Sequence, residues 1–445
     1  MRRYSAARLF AIAALCALFS ACNGPSAPSH TDAWLSYKYG FTCGTYFNNP
    51  ADLNGASSQQ SATCPGMSNF VEAGNYYNDI GAPATFDDWK MAYGFLPPTG
   101  LNAEAFYGNV NDLQFGRDMN CSQTGTQIAC YVTNYGPQAA DCTASGASNC
   151  PWPNLETGVN DAIAQQSAFT AHGPFATVAM VYNGTPNTPT NPQPVNNITF
   201  YVYNGAGNML LPFAALDNEG AKSVPQMCMA CHGGDYTAHT STTPASVKGT
   251  SFLPFDVLSF YYSKANPGKG VDQQQEQMRI LNLLVKTVNG GDQPIASQTP
   301  QQTAIIDFIN GQYCPDGVNG GVQSPYSSCP APVEKANSQA IGGYFPAGWL
   351  GYPAQKAYSE VMKPYCRMCH MAQSQTFFSA SALGDPLLKP FVCTSKDMPH
   401  AEVPFGGGSN ASVNPFVQQN DTSHFWLDGG VALGDLAKAA GFGGC

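Results

Sequence analysis

Charge is what this sequence has least of. Asp, Glu, Lys and Arg make up 11% of its 445 residues, less than half of the roughly 25% usual in soluble domains. Only 19 Lys and Arg stand against 29 Asp and Glu, for a formal net charge of −10. That deficit of cations argues against nucleic acid or an anionic membrane surface as partner, because Lys and Arg supply most of the attraction to both. Beyond the N-terminal leader no apolar run is long enough to cross a bilayer. The first half carries no Gly-rich phosphate loop, no nucleophile elbow and no strong internal repeat, so it offers no P-loop, hydrolase or solenoid reading.

What takes the place of charge is a polar surface of Asn, Gln, Ser and Thr, together with 45 Gly, 34 Pro and 16 Cys. The chain opens with Arg2, Arg3 and Arg8 ahead of an apolar run, Leu9 to Phe19, that is too short for a membrane span and leads to Ser20-Ala21-Cys22. This arrangement resembles a bacterial lipoprotein signal, which implies removal of residues 1–21 and lipidation of Cys22. Loss of the leader and its three arginines leaves 424 residues and moves the formal charge to −13. Residues 22–32 then form a Pro/Ser-rich tether, and the protein is expected outside the cytoplasm, at the periplasmic or cell-surface side of the outer membrane.

Two stretches share one five-residue pattern: Cys228-Met-Ala-Cys231-His232 and Cys366-Arg-Met-Cys369-His370. Composition alone predicts roughly 0.01 chance matches, so two are unexpected by accident. Thiols three residues apart share one face of a helical turn, and a histidine beside them can reach a metal. A redox pair or half of a zinc site would also use two cysteines, but neither calls for the adjacent histidine in both copies. On these motifs and their surroundings, from Ser223 to Gly441, the chain resembles the dihaem c-type cytochromes. The resemblance implies two covalently bound haem c groups, with Cys228, Cys231, Cys366 and Cys369 forming thioethers and His232 and His370 as proximal iron ligands.

Setting aside Cys16 and Cys22 and the four motif cysteines leaves ten. An even number in an exported chain suggests disulfides. Short-range pairing would join Cys43–Cys64, Cys121–Cys130, Cys142–Cys150, Cys314–Cys329 and Cys393–Cys445.

The expected fold class is α+β. A loop-rich, partly β domain without a haem motif occupies 33–203, followed by two mainly α-helical, cytochrome c-like haem domains over 204–335 and 336–445. Periodicity places strands at Ile128–Asn134, Phe175–Tyr182 and Ile198–Tyr203. It places helices at Leu155–Phe169, Val271–Val288, Thr303–Asn310 and Pro353–Lys363. A short helix beginning about Ser223 and Pro225 carries the first motif and ends at Gly233-Gly234. The aromatic cluster from Phe252 to Tyr262 is large enough to wrap a porphyrin, and is equally of the kind that fills a core.

For the second haem, Met398 in Asp397-Met-Pro-His400 lies 28 residues after His370 and resembles the axial-methionine loop of class I cytochromes c, with His400 as the rival ligand and a methionine that simply packs as the alternative. For the first haem the sixth position stays open between Met278, which is 46 residues after His232, Met119, His239 and no protein ligand. Arg117, next to Asp118 and Met119, is a candidate partner for a propionate or for a structural ion pair. Two functional readings follow. One is an electron carrier passing single electrons between redox partner proteins. The other is a dihaem peroxidase- or oxygenase-like enzyme whose first haem is open.

Overall fold

The structure is a computed structural model, and the residues it describes are 70–109, 115–135, 174–185, 195–215, 221–260, 262–263, 266–291, 294, 297–313, 349, 354–359, 362–363, 367 and 371. The leader, the tether, Cys22 and the expected helix Leu155–Phe169 lie outside them, as do Cys366, Cys369, His370, Met398 and the remaining expected disulfides. The described chain is α+β, combining helices with antiparallel sheet.

Its centre is a five-stranded antiparallel meander: β1 (Leu101–Asn109), β2 (Phe115–Thr124), β3 (Gln127–Tyr135), β4 (Pro174–Tyr182) and β5 (Ile198–Asn204), in that spatial order. The last three contain the strands that periodicity predicts; β1 and β2 add to them. A two-residue loop, Gly125-Thr126, joins β2 to β3, and Gly125 takes a φ of 62°. Primed hairpin turns require a positive φ at that position, which only glycine adopts without steric cost. Four residue pairs in from the turn, Cys121 faces Cys130 and the two form a disulfide, as the short-range pairing predicts.

Alternation along the strands gives the sheet two apolar faces. On one, Ala129, Val181, Tyr201 and Tyr203 pack against Trp89 of α2 (Phe86–Ala92). On the other, Ala105, Tyr107, Cys121, Cys130, Phe200 and Val202 meet three helices. These are α1 (Phe70–Asp79), α3 (Gln226–His232) and α4 (Val271–Val288). Helix α5 (Pro300–Gln312) closes this second core. It draws continuously on residues from both sides of position 203, from Tyr76 to Tyr313, and also takes in Met371.

Both edges of the sheet are covered by side chains, which removes the open backbone that invites strand addition. At the β1 edge, Gln274 of α4 accepts from the Phe106 N–H at 2.6 Å and donates to the Phe106 carbonyl at 2.9 Å. Gln277 accepts from the Glu104 N–H at 3.2 Å. At the β5 edge, the hydroxyls of Tyr76 and Tyr77 accept from the N–H groups of Phe200 (3.0 Å) and Val202 (3.1 Å).

Helix α4 has the predicted bounds, with Met278, Leu281, Leu284, Val285 and Val288 all buried on one face. Helix α5 starts three residues before the expected Thr303. Thr299 and Gln302 form a reciprocal capping box, with Pro300 in the first turn, where its missing N–H costs nothing. Two small hairpins, β6–β7 (Phe213–Ala215 with Ala221–Ser223) and β8–β9 (Asp235–Thr237 with Ser246–Lys248), bracket α3. Further on, helical backbone at Ala354–Ala357 leads to the buried Tyr358 and Met362, within the predicted Pro353–Lys363. No described helix is long and apolar enough to cross a membrane.

Candidate functional site: the first Cys-x-x-Cys-His helix

Helix α3 is short because its sequence stops it at both ends. Pro225 is the half-helical residue before it, and the Cys228 and Met229 N–H groups both bond the Pro225 carbonyl. Gly233 and Gly234 end it with φ of 69° and 96°, a conformation that residues with a Cβ avoid. A Cβ on Gly234 would meet the Lys248 carbonyl at 2.7 Å, so the close approach of β9 also demands glycine there.

Cys228 is buried and Cys231 half-buried, and the two are not joined as a disulfide. Burial, followed by the neighbouring Cys231, pushes the Cys228 thiol well above its ordinary value. Among the described residues no three His, Cys, Asp or Glu side chains converge as a metal cluster.

His232 closes the helix. Its Nδ1 lies 2.8 Å from the backbone carbonyl of Ser251. A carbonyl only accepts, so Nδ1 carries a proton, and in the neutral ring Nε2 is the nitrogen with the lone pair. This is the arrangement by which proteins fix the tautomer and orientation of a metal-binding imidazole. The His232 ring also tilts against Phe200 of β5, with centroids 5.7 Å apart.

The segment that supplies the Ser251 carbonyl is held by buried amides rather than by regular structure. Asn282 of α4 accepts from the Phe255 N–H at 2.8 Å and donates to the Phe255 carbonyl at 3.0 Å. Gln312 of α5 accepts from the Val257 N–H at 3.1 Å and donates to the same Phe255 carbonyl at 2.9 Å. Asn289 donates to the Phe252 carbonyl at 3.0 Å. Phe252, Phe255 and Phe260 of the predicted aromatic cluster are buried, and Tyr107 of β1 stacks on Phe260 at 4.2 Å.

The candidate axial residues fall in two places. Met278 is fully buried in the core that contains Cys228, and Met119 is partly buried and packs against that same core. His239 lies after β8, 38% exposed by side chain, with Nδ1 2.8 Å from Asp79. That contact holds the Asp79 carboxyl below its usual range. Arg117 and Asp118 are sequence neighbours on a strand and therefore sit on opposite faces of the sheet. Asp118 Oδ1 accepts from Asn120 at 2.7 Å, while burial first and the charge of Glu104 second push its carboxyl up to about 7. A groove of about 590 Å³ opens on that face beside Glu104, Phe106, Asn120, Tyr131 and Lys269, and no residue of the first motif lines it.

Reading by sequence missed the amides of Asn282, Asn289 and Gln312. Their only signal is polarity on the buried faces of otherwise apolar helices. It also missed Arg367 inside the second motif, which is buried against Asp256. No protein-family model, no curated protein and no solved structure matches this chain.

Proposed function

We infer that the chain is an exported, dihaem c-type cytochrome whose work is electron transfer between redox partner proteins outside the cytoplasm. The observation that carries this reading is the arrangement at α3. Two cysteines that are not joined as a disulfide sit three residues apart on one helix, followed by a histidine whose Nδ1 proton is committed to the Ser251 carbonyl. The donor set fits covalent haem: Cys228 and Cys231 for thioethers, and the Nε2 lone pair of His232 for iron. When bound, haem c supplies one-electron exchange.

The protein's own residues do the rest. Ser251 fixes the imidazole, and Asn282, Asn289 and Gln312 fix the segment that contains Ser251 and the aromatic side chains following it. A rigid, largely apolar surrounding limits reorganisation when charge changes, which suits electron exchange. The second motif is read in the same way, with Cys366, Cys369 and His370 as its attachment and proximal residues and Met398 as its axial ligand. The two units are then cytochrome c-like, and lipidation of Cys22 would hold the protein at the outer membrane.

The test is the spectrum of the purified oxidised protein. Pyridine haemochrome analysis should find two covalent haems per chain, and one after Cys228→Ala/Cys231→Ala. Electron paramagnetic resonance should show both low-spin and indifferent to peroxide. Absence of covalent haem would refute the cytochrome reading. A high-spin haem that reacts with peroxide or dioxygen would replace the carrier with a dihaem peroxidase- or oxygenase-like enzyme.

A further inference from the structure

The groove on the Trp89 face of the sheet shares no residue with the first motif. Its floor is laid by strand alternation: Asn102, Glu104 and Phe106 point to one side of β1, Asn120 stands opposite Glu104 on β2, and Tyr131 stands opposite Asn120 on β3. Helix α2 packs this face over β3, β4 and β5 and leaves β1 to other partners. One wall of the groove is therefore the chain that follows α2, with Phe95, Leu96 and Pro98. The other is the chain entering α4, with Lys269, Gln273 and Gln277. The volume between them, about 590 Å³, is that of a small-ligand site.

Two opposite charges line this groove without pairing. Among the described residues the exposed Glu104 carboxylate accepts no hydrogen bond, and the half-buried Lys269 forms no ion pair and lies instead over the Phe106 ring. Both fields reach the floor: burial first and Glu104 second push the Asp118 carboxyl up, and Lys269 acts against them. The third charged residue of the lining, Lys90, is already held by Asp87 at 2.7 Å. Amide groups are also left over. Gln277 and Gln273 spend their oxygens on the N–H groups of Glu104 and Gly270, at 3.2 and 2.8 Å, and each keeps an NH2 group to donate. Asn120 spends its NH2 group on Asp118 at 2.7 Å and keeps its oxygen. Leu96, 42% exposed, forms an apolar lip.

We propose that this groove binds a short zwitterionic peptide, with the α-ammonium at Glu104 and the α-carboxylate at Lys269. The amides of Asn120, Gln273 and Gln277 meet its peptide groups, and an apolar side chain lies against Phe95, Leu96 and Pro98. Charge decides the class of ligand. A simple anion drawn to Lys269 is repelled by Glu104, and a simple cation meets the reverse, whereas a molecule with both charges satisfies the two at once. A neutral sugar leaves both charges unpaired, and the Phe106 ring on which it would stack carries Lys269. Peptide binding here adds to the electron-carrier reading and does not depend on haem.

The experiment is isothermal titration calorimetry of the full chain with the dipeptide alanyl-leucine, its N-acetyl form and its C-terminal amide, and with maltose and inorganic phosphate as controls. The free dipeptide should saturate a single site with a Kd of about 1 mM or tighter. Each capped form lacks one charge and should bind about tenfold more weakly, the worth of a charge-assisted hydrogen bond. Glu104→Gln should lose about the same factor for the free dipeptide and become indifferent to N-acetylation, and Lys269→Met should become indifferent to amidation instead. The capped peptides decide the question on the wild-type chain even where a variant fails to fold. Absence of saturable dipeptide binding overturns the proposal, as does binding of the capped forms at full strength or unchanged binding to both folded variants. Tighter binding of maltose or phosphate than of the dipeptide also overturns it, and assigns the groove to a sugar or an anion.

Discussion

Replacing Asn282 by leucine tests whether the segment before the aromatic cluster is held by side-chain amides. Asn282 is fully buried, and leucine has the same branched skeleton of four side-chain heavy atoms, so the perturbation removes polar groups and opens no cavity. Three hydrogen bonds disappear: from the Phe255 N–H, to the Phe255 carbonyl, and to the Tyr313 hydroxyl at 3.2 Å. The carbonyl keeps its donor in Gln312, but the N–H is left without its acceptor inside the core. An orphaned buried donor costs about 1–3 kcal/mol and each lost neutral bond about 0.5–1.5 kcal/mol. Leucine's better helix propensity returns only a few tenths of a kcal/mol. The net loss is about 3 kcal/mol, which at about 2.1 cal/mol/K of unfolding entropy per residue lowers Tm by about 3 °C in a chain of 445 residues unfolding as one unit. Urea unfolding followed by circular dichroism measures it. A loss below about 1 kcal/mol would mean that the segment is held by apolar packing alone, and would refute the amide-clamp reasoning.

Gln274→Ala uncovers the β1 edge, where water replaces part of what the amide supplied, so global stability should fall by only about 1–2 kcal/mol. The sharper readout is local: hydrogen exchange at the Phe106 amide should quicken at least tenfold, and unchanged protection would show that the glutamine is not its acceptor. Asp118 makes a pH prediction. Its folded value of about 7 lies above the roughly 3.9 of an unfolded chain. Between those values the folded state keeps a proton that the unfolded state has released, so stability falls as pH rises through the window and levels off above it. Asp118→Asn keeps an acceptor for Asn120 and should flatten this dependence, raising the urea midpoint at pH 8 relative to wild type more than at pH 5. Parallel midpoints across that range would refute the assignment.

How far the sequence reached can be read from individual elements. Helix α4 was legible to the residue because Met278, Leu281, Leu284, Val285 and Val288 recur at helical spacing and all five are buried. Strands β3, β4 and β5 are rich in Val, Ile, Tyr and Thr and declare themselves in the same way. Strand β2 does not: Phe-Gly-Arg-Asp-Met-Asn-Cys-Ser-Gln-Thr is polar and poor in strand formers, and it is a strand because β1 and β3 pair with it on both sides. The start of α5 was readable in principle from Thr299-Pro300 and Gln302, a capping signature that apolar periodicity alone overlooks. The glutamines of α4 present the harder case. Asp272-Gln-Gln-Gln-Glu-Gln277 reads as a solvated face, yet Gln274 is buried because an edge strand, distant in sequence, needed a donor and an acceptor.

By itself, the sequence determined the local chemistry: two Cys-x-x-Cys-His motifs, a helix start at Pro225 and stop at Gly233, and a hairpin disulfide between Cys121 and Cys130. Each depends only on residues near one another in the chain, so spacing suffices to specify it. The tertiary structure alone decided that the Ser251 carbonyl fixes the His232 tautomer. It also decided that Met278 and Met119 join the core of the first motif while His239 turns to Asp79, and that Asp256 meets Arg367 across 111 residues. Those contacts join groups far apart in sequence, and a hydrogen bond or buried ion pair leaves no periodic trace from which a partner can be named.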